Sequence, residues 1–392
     1  MLEENGPSGS NQQPESSEEP KRMASGLDTV LLELRDIVKE EFTVTHVYVD
    51  PRDNIPRFII EKDAQIKERS ARLAERLKPY KVLAAFRRME IFEGTGEYET
   101  VIILVPAPPP RKKGSYRVSL ALFIATVVTV LIAGWSFASS PAQLFVLGFP
   151  SNPFPIIVIT FLYAAAILSI IGIHELGHVF SSHSHGMETS LPYFIPGLFY
   201  GTFGAVILQR TPPPTRDSLF DLGISGPVVG FLIACVAVVV GLMLSPPVTP
   251  ELQSYLATLG LGLSSIPDPL LITFITDLMG ISGSVLAHPI FIAGWLGFII
   301  TGLNYCPIGQ LDGGHVSRAL FGHKYHKIVS YIAVFILILA GQIFMAIIAF
   351  FLFYGRHPGP IDDVSPLSTG RKIVGLLSFL LPILLIPPVT IF

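Results

Sequence analysis

Two imidazoles and a carboxylate stand close together in His174-Glu175-Leu176-Gly177-His178, at the end of an apolar run that begins at Phe154. Residues four apart in a helix share a face, so His174 and His178 can offer imidazoles to one metal ion while Glu175 sits beside them to handle protons. The pattern suits zinc hydrolysis. Zinc with three protein ligands and an open position lowers the pKa of bound water to about 7, and the adjacent glutamate serves as general base. A bare HExxH also arises by chance in soluble helices. In an apolar span, however, two histidines and a glutamate are costly unless they bind something.

Two histidines leave a third ligand to be found, and the candidates are Asp312, His183, His185, His288 and His315. A third histidine six residues after the second would extend the motif in a familiar way, but Ser184 holds that position. His183 and His185 read as interfacial side chains. Asp312 is the better choice, because it lies in Asn304-Tyr305-Cys306-Pro307-Ile308-Gly309-Gln310-Leu311-Asp312-Gly313-Gly314-His315, just after an apolar span where a carboxylate is expensive without a cation. Cys306 has ligand chemistry, although a free thiol in an apolar position is ordinarily packing. His315 reads equally as a donor beside the metal or as part of the segment's end.

The elements that must position these groups are those of a membrane protein. Half of the 392 residues are hydrophobic, 15% are charged and the mean hydropathy is +0.56, a composition that soluble domains rarely show. About six transmembrane helices are expected: Tyr116 to Ala138, Phe154 to about Phe180, Leu219 to Leu244, His288 to Leu303, Ile328 to Phe353 and Ile373 to Phe392. The first spans roughly 35 Å at 1.5 Å per residue, enough for the hydrocarbon core. Two further apolar stretches, Met187 to Gln209 and Leu270 to Leu286, are too broken or too short to span and read as re-entrant or interfacial.

The amino-terminal part has a different pattern. Residues 1–25 are rich in Glu, Ser, Pro, Gln and Asn and read as a disordered tail. Residues 26–105 alternate as helix, two strands, helix, two strands, which predicts a small soluble α+β domain with a mainly antiparallel sheet. Residues 106–115 form a Pro-rich and basic linker, and 116–392 the transmembrane domain. Arg111, Lys112, Lys113 and Arg117 before the first span predict a cytoplasmic amino terminus. Counting spans then puts His174 and His178 near that same face and Arg371 and Lys372 on the opposite one. The first apolar span begins too late for a cleavable signal. The net charge of -3 and the scattered basic residues argue against nucleic-acid binding, and Cys235 and Cys306 suggest no disulfide framework.

With both motifs in view, the chain resembles the site-2 proteases, a family of intramembrane zinc metalloproteases. HELGH in a membrane helix is one half of the resemblance. The other is N-x-x-P-x-x-x-x-D-G, matched at Asn304, Pro307, Asp312 and Gly313. The resemblance implies Zn2+ bound by His174, His178 and Asp312, Glu175 as the catalytic acid and base, and Asn304, with Pro307, near the substrate strand. Ser225-Gly226-Pro227 looks like the small-residue motif that packs near such a site. The likeness covers about Tyr116 to Phe353 and shows no PDZ-like insertion. The α+β domain, the LPYFIPG and TFGAVI segments and GQLDGGH look more like the branch of archaea, cyanobacteria and plastids, including plant EGY-type proteins.

The expected function is an intramembrane zinc endopeptidase that cleaves transmembrane segments of single-pass membrane proteins, in or near the cytoplasmic or stromal half of the bilayer. Met187 to Leu191 and Thr202 to Ile207 are expected to form a hairpin whose free edge pairs with substrate, with Thr202, Phe203 and Gly204 as contacts. A membrane-surface loop is the plainer reading of that segment. The alternatives outside proteolysis are a metal transporter and an inactive membrane scaffold. A transporter should place polar residues in several spans, and an inactive relative should lack Glu175 or a ligand. Neither feature is present.

Overall fold

The computed structural model describes residues 31–90, 97–107, 115–353 and 357–387. The expected tail and most of the linker lie outside them. The chain divides into two compact units, Met1–Ala107 and Pro108–Phe392.

In the first unit, helix α1 (31–41) precedes strands β1 (Val44–Val49) and β2 (Pro56–Ile60), helix α2 (Ile66–Leu77), and strands β3 (Val82–Glu90) and β4 (Tyr98–Pro106). The strands form one antiparallel sheet in the order β1-β2-β4-β3. Leu34, Val38 and Phe42 recur every four residues and are buried, as are Ile66, Leu73 and Leu77 of α2. This is the one-sided pattern that docks a helix on a sheet. Glu41 accepts from Arg72 and Arg76, tying the end of α1 to α2.

The second unit begins with α3 (Tyr116–Ala138), α4 (Pro141–Val146) and α5 (Phe154–Ser184). A two-stranded hairpin follows, β5 (Tyr193–Pro196) with β6 (Thr202–Val206), and then α6 (Arg216–Met243), α7 (Pro250–Thr258), α8 (Leu270–Leu278) and α9 (Pro289–Asn304). The chain continues through α10 (Asp312–Leu339), α11 (Ile343–Phe353), α12 (Thr369–Ser378) and α13 (Leu380–Leu385). Tyr163, Ile167, Ile170, Ala234, Val238 and Phe298 of α5, α6 and α9 share one core. Small residues let these helices close up. A Cβ on Gly177 would sit 2.7 Å from the Ser225 carbonyl, and one on Gly294 would sit 2.6 Å from the Val238 nitrogen, the close backbone approach that drives helix association in lipid.

Among the described residues, three helices are long and apolar enough to cross a membrane: α3, α5 and α6. The fourth expected span is the 16-residue α9. The fifth, Ile328 to Phe353, is not continuous. Gly341 (φ 74°) turns the chain, and Leu337 packs with Ala346 and Ala349, so α11 folds back on α10. The sixth is interrupted between α12 and α13, and 388–392 lie outside the described residues. The fold-back also moves Arg371. Its guanidinium forks onto Asp221 at 2.7 and 2.6 Å, at the start of α6, rather than lying at the opposite end of the bundle. Hydropathy alone reads an apolar helical hairpin as one span, and the error then reverses every later side assignment.

Candidate metal centre

Helix α5 carries His174, Glu175 and His178, all buried, and Asp312 opens α10. The loop between α9 and α10 fixes where that carboxylate starts. Ser330 donates to the Pro307 carbonyl (3.1 Å) and its Oγ accepts from the Gly309 N–H (3.3 Å), so α10 staples its own preceding loop. A Cβ on Gly314 would lie 2.7 Å from the Ile308 carbonyl oxygen, and one on Gly313 would strike the loop carbonyls of Tyr305 and Cys306. Glycine at both positions lets the helix begin hard against the loop.

The three ligand atoms converge. His174 Nε2 lies 3.2 Å from His178 Nε2 and 3.2 Å from Asp312 Oδ2, and His178 Nε2 lies 3.3 Å from Asp312 Oδ1. Tetrahedral zinc with ligands at 2.0–2.1 Å has ligand-to-ligand edges of about 3.3–3.4 Å. The donor set fits the ion in kind, and the His174–His178 separation is close to such an edge, while the two histidines meet different oxygens of Asp312. His178 Nδ1 donates to the Leu222 carbonyl at 2.8 Å, which leaves Nε2 with a lone pair facing the other two ligands. Among the described residues, these three form the one cluster of histidine, cysteine and carboxylate side chains with this convergence. Glu175 is buried beside them and has no hydrogen-bond partner among the described residues.

Helix α6 forms the wall behind the ligands. A Cβ at Gly226 would sit 2.6 Å from His178 Cδ2 and Cε1, and one at Gly230 would sit 3.0 Å from His174 Nδ1. Ser225-Gly226-Pro227 thus lies where the small-residue motif was expected. The spacing of Gly223, Gly226 and Gly230, at helical intervals, was the available signal for the rest of this wall.

The other candidates have separate duties. His185 meets Asp221 at 2.9 Å, His288 caps α9 by accepting from the Ile290 N–H, and Cys306 Sγ donates to the Gly302 carbonyl. Asn304 ends α9, half-buried and with no hydrogen-bond partner among the described residues. Residues Met187 to Gln209 do fold as a hairpin, but the arm paired with β6 is Tyr193–Pro196, and Met187 to Leu191 contributes one bridge, Thr189 with Gln209. The hairpin packs mainly on α3, with Phe123 against Phe194 and the Thr129 hydroxyl donating to the Gly201 carbonyl, and Tyr163 of α5 donates to the Tyr200 carbonyl. Thr202 is turned inward, donating to the Ile195 carbonyl, while Phe203 is 70% exposed. Among the described residues, no hydrogen bond joins Thr202, Phe203 or Gly204 to His174, His178 or Asp312.

The positions that sequence reasoning passed over are His357, Arg318 and Asp363. His357 Nε2 and His315 Nδ1 are 2.8 Å apart, and Arg318 forks onto Asp363 at 2.9 and 2.6 Å. Burial, with the neighbouring His315, His326 and Arg318, holds the His357 imidazole well below its ordinary range. The Gly359 N–H, donating to His357 Nδ1 at 3.0 Å, requires a lone pair there and so suits the neutral ring. Nothing in the run His357-Pro358-Gly359 announces it, since its partner is 42 positions away.

Three apolar helices of membrane-crossing length and a cluster of two histidines and an aspartate that could hold a metal ion are the features the second unit offers for comparison. Residues 162–348 match Peptidase family M50, so the chain carries a domain of that family, the site-2 proteases. It is homologous to the EGY proteins of plants. It is 27% identical over 307 residues to "Probable zinc metalloprotease EGY1, chloroplastic" of Arabidopsis thaliana, covering 72% of this chain and 55% of that protein. The rice protein of the same name (Oryza sativa subsp. japonica) is 27% identical over 308 residues, covering 72% and 52%. "Probable zinc metalloprotease EGY2, chloroplastic" of Arabidopsis thaliana is 28% identical over 160 residues, 40% of this chain and 28% of that protein. The chain spans about half the length of the EGY1 relatives it matches. No solved structure matches it.

Proposed function

We propose that the chain is an intramembrane zinc endopeptidase that hydrolyses peptide bonds in or beside the transmembrane segments of single-pass membrane proteins. The observation that carries this reading is the convergence of His174 and His178, on the apolar helix α5, with Asp312 at the start of α10, and with Glu175 beside them. His174, His178 and Asp312 hold the zinc, which when bound polarises the scissile carbonyl and acidifies water. Glu175 takes a proton from the attacking water and delivers it to the leaving amine nitrogen. The Leu222 carbonyl keeps the His178 proton on Nδ1 throughout.

A helical substrate hides its peptide bonds in its own hydrogen bonds, so it must unwind locally before attack. The β5–β6 hairpin offers strand edges for the unwound segment, with Phe203 and the Asn304 amide as contacts. We assign the active site and the first unit to the cytoplasmic or stromal face. The basic residues Arg111 to Arg117 support that sidedness, and so do Arg216, which begins α6, and Arg371 of α12, whose guanidinium is bonded to Asp221 near that same end. Release of a membrane-held regulator is the use we infer for such cleavage.

The test is a liposome assay with a panel of single-pass helices. Wild type should cleave a subset of them, and Glu175→Ala should retain zinc without cleaving any. Cleavage surviving in Glu175→Ala would remove the mechanism.

A further inference from the structure

We propose that His315 is a further catalytic residue of this site, donating its Nε2–H to the scissile carbonyl oxygen as that oxygen gains negative charge. The proposal rests on the zinc peptidase reading above and adds a donor to it. Its first support is position. His315 follows Asp312 by three residues on α10, which places it on the same helix face about 4.5 Å further along the axis. A Cβ on Gly223 would lie 2.6 Å from the Asp312 carbonyl oxygen and 2.9 Å from His315 Cβ. Both residues therefore flank one point of α6, next to the Leu222 carbonyl that holds His178.

Its second support is a chain of hydrogen bonds that assigns the protons. The Gly359 N–H donates to His357 Nδ1 at 3.0 Å, so that nitrogen carries a lone pair. A neutral imidazole has one N–H, which must then be on His357 Nε2. That N–H donates to His315 Nδ1 at 2.8 Å. The remaining proton of a neutral His315 is accordingly on Nε2. Among the described residues Nε2 has no partner, and the side chain is half-buried rather than sealed. A donor held in one tautomer and left without an acceptor is poised for a ligand.

The rest of the segment holds His357 in place. Ile361 and Asp362 donate their N–H groups to the Pro213 and Pro214 carbonyls, at 2.8 and 2.9 Å. Asp363 accepts both forks of Arg318, which is 3% exposed. The same arrangement argues against a second metal among His315, His326 and His357. Both nitrogens of His357 are already engaged, and the Arg318 guanidinium stands close to the cluster.

The experiment uses the purified full chain in liposomes, with zinc content, kcat, KM and imidazole 15N shifts as readouts. Wild-type His315 should show the Nε2–H tautomer and one zinc per chain. His315→Leu should keep that zinc and lose roughly 10²- to 10³-fold in kcat, the usual cost of removing an oxyanion donor, with KM little changed. His315→Gln, whose amide nitrogen reaches the same place, should recover at least tenfold of that loss. His357→Leu should give His315 a mixture of tautomers and an intermediate kcat. Retention of kcat within threefold in His315→Leu, while Glu175→Ala is inactive, would overturn the donor role. Loss of zinc in His315→Leu would overturn it too, since the residue would then serve Asp312. Two zinc ions per wild-type chain would make the cluster a metal site instead. An active Glu175→Ala would sink the peptidase reading itself, which separates the two failures.

Discussion

His178 and Phe203 represent two regions of the membrane unit that differ in nearly every bond. His178 is buried, its Nδ1 spent on the Leu222 carbonyl and its Nε2 aimed at two other ligands. Phe203 is 70% exposed, on a hairpin whose turn also exposes Leu198 and Phe199, at 86% and 79%. Yet the hairpin too is tied to the bundle by hydrogen bonds. Thr129 donates to the Gly201 carbonyl at 2.6 Å and Tyr163 to the Tyr200 carbonyl at 2.8 Å. The difference is in what each region leaves unspent. Around the metal ligands the free groups are few and chemical: the Glu175 carboxylate and one imidazole N–H. On the hairpin they are apolar faces and strand edges. Under the proposed function, the fixed donors would serve a reaction common to all substrates and the adaptable surface would serve recognition.

The contrast would break most visibly at Asp312. Asp312→Ala should lower zinc affinity by more than the roughly 10- to 100-fold typical of groups that merely orient ligands, and should abolish cleavage. Metal analysis of the purified variant checks this, and a normal zinc content would mean the third ligand is elsewhere. Gly226→Ala probes the same region one layer back. The added methyl would meet the His178 ring, so zinc affinity should fall roughly 10- to 100-fold. Chelator competition reads that loss, and the helix should otherwise fold, since alanine is a better helix former than glycine.

What was legible in the sequence follows the range of the forces involved. The helices of the first unit show as local periodicity, because each buries one face, whereas its strands show as short β-branched and aromatic runs between turns. His174 and His178 show because helical spacing is local too. Asp312 is 138 positions from His174, and chemistry could point to it only because a carboxylate beside an apolar span is costly. The α10–α11 hairpin was missed because its two arms are both apolar and Gly341 is a weak signal within such a run. His357 was missed for a different reason. Its value lies in a proton arrangement that needs the Gly359 amide, the His357 ring and the His315 ring in one line, and no spacing in the chain announces that.

The smallest expected effect sharpens the other side of the contrast. Phe203→Ser removes an exposed aromatic that no structural bond requires, so zinc content and thermal stability should stay at wild-type values. If the hairpin binds substrate, the side chain becomes partly covered only in the complex, and losing about 1 kcal/mol of apolar burial corresponds to about a fivefold rise in KM. The same interaction is present in the ground state and the transition state, so kcat should hold. Thr202 gives the control, because its hydroxyl donates to the Ile195 carbonyl and accepts from the Gly204 N–H. Thr202→Val should distort the strand and raise KM together with a loss of stability. A KM rise in Phe203→Ser without that loss marks recognition, whereas unchanged KM across the helix panel would return the hairpin to a packing role.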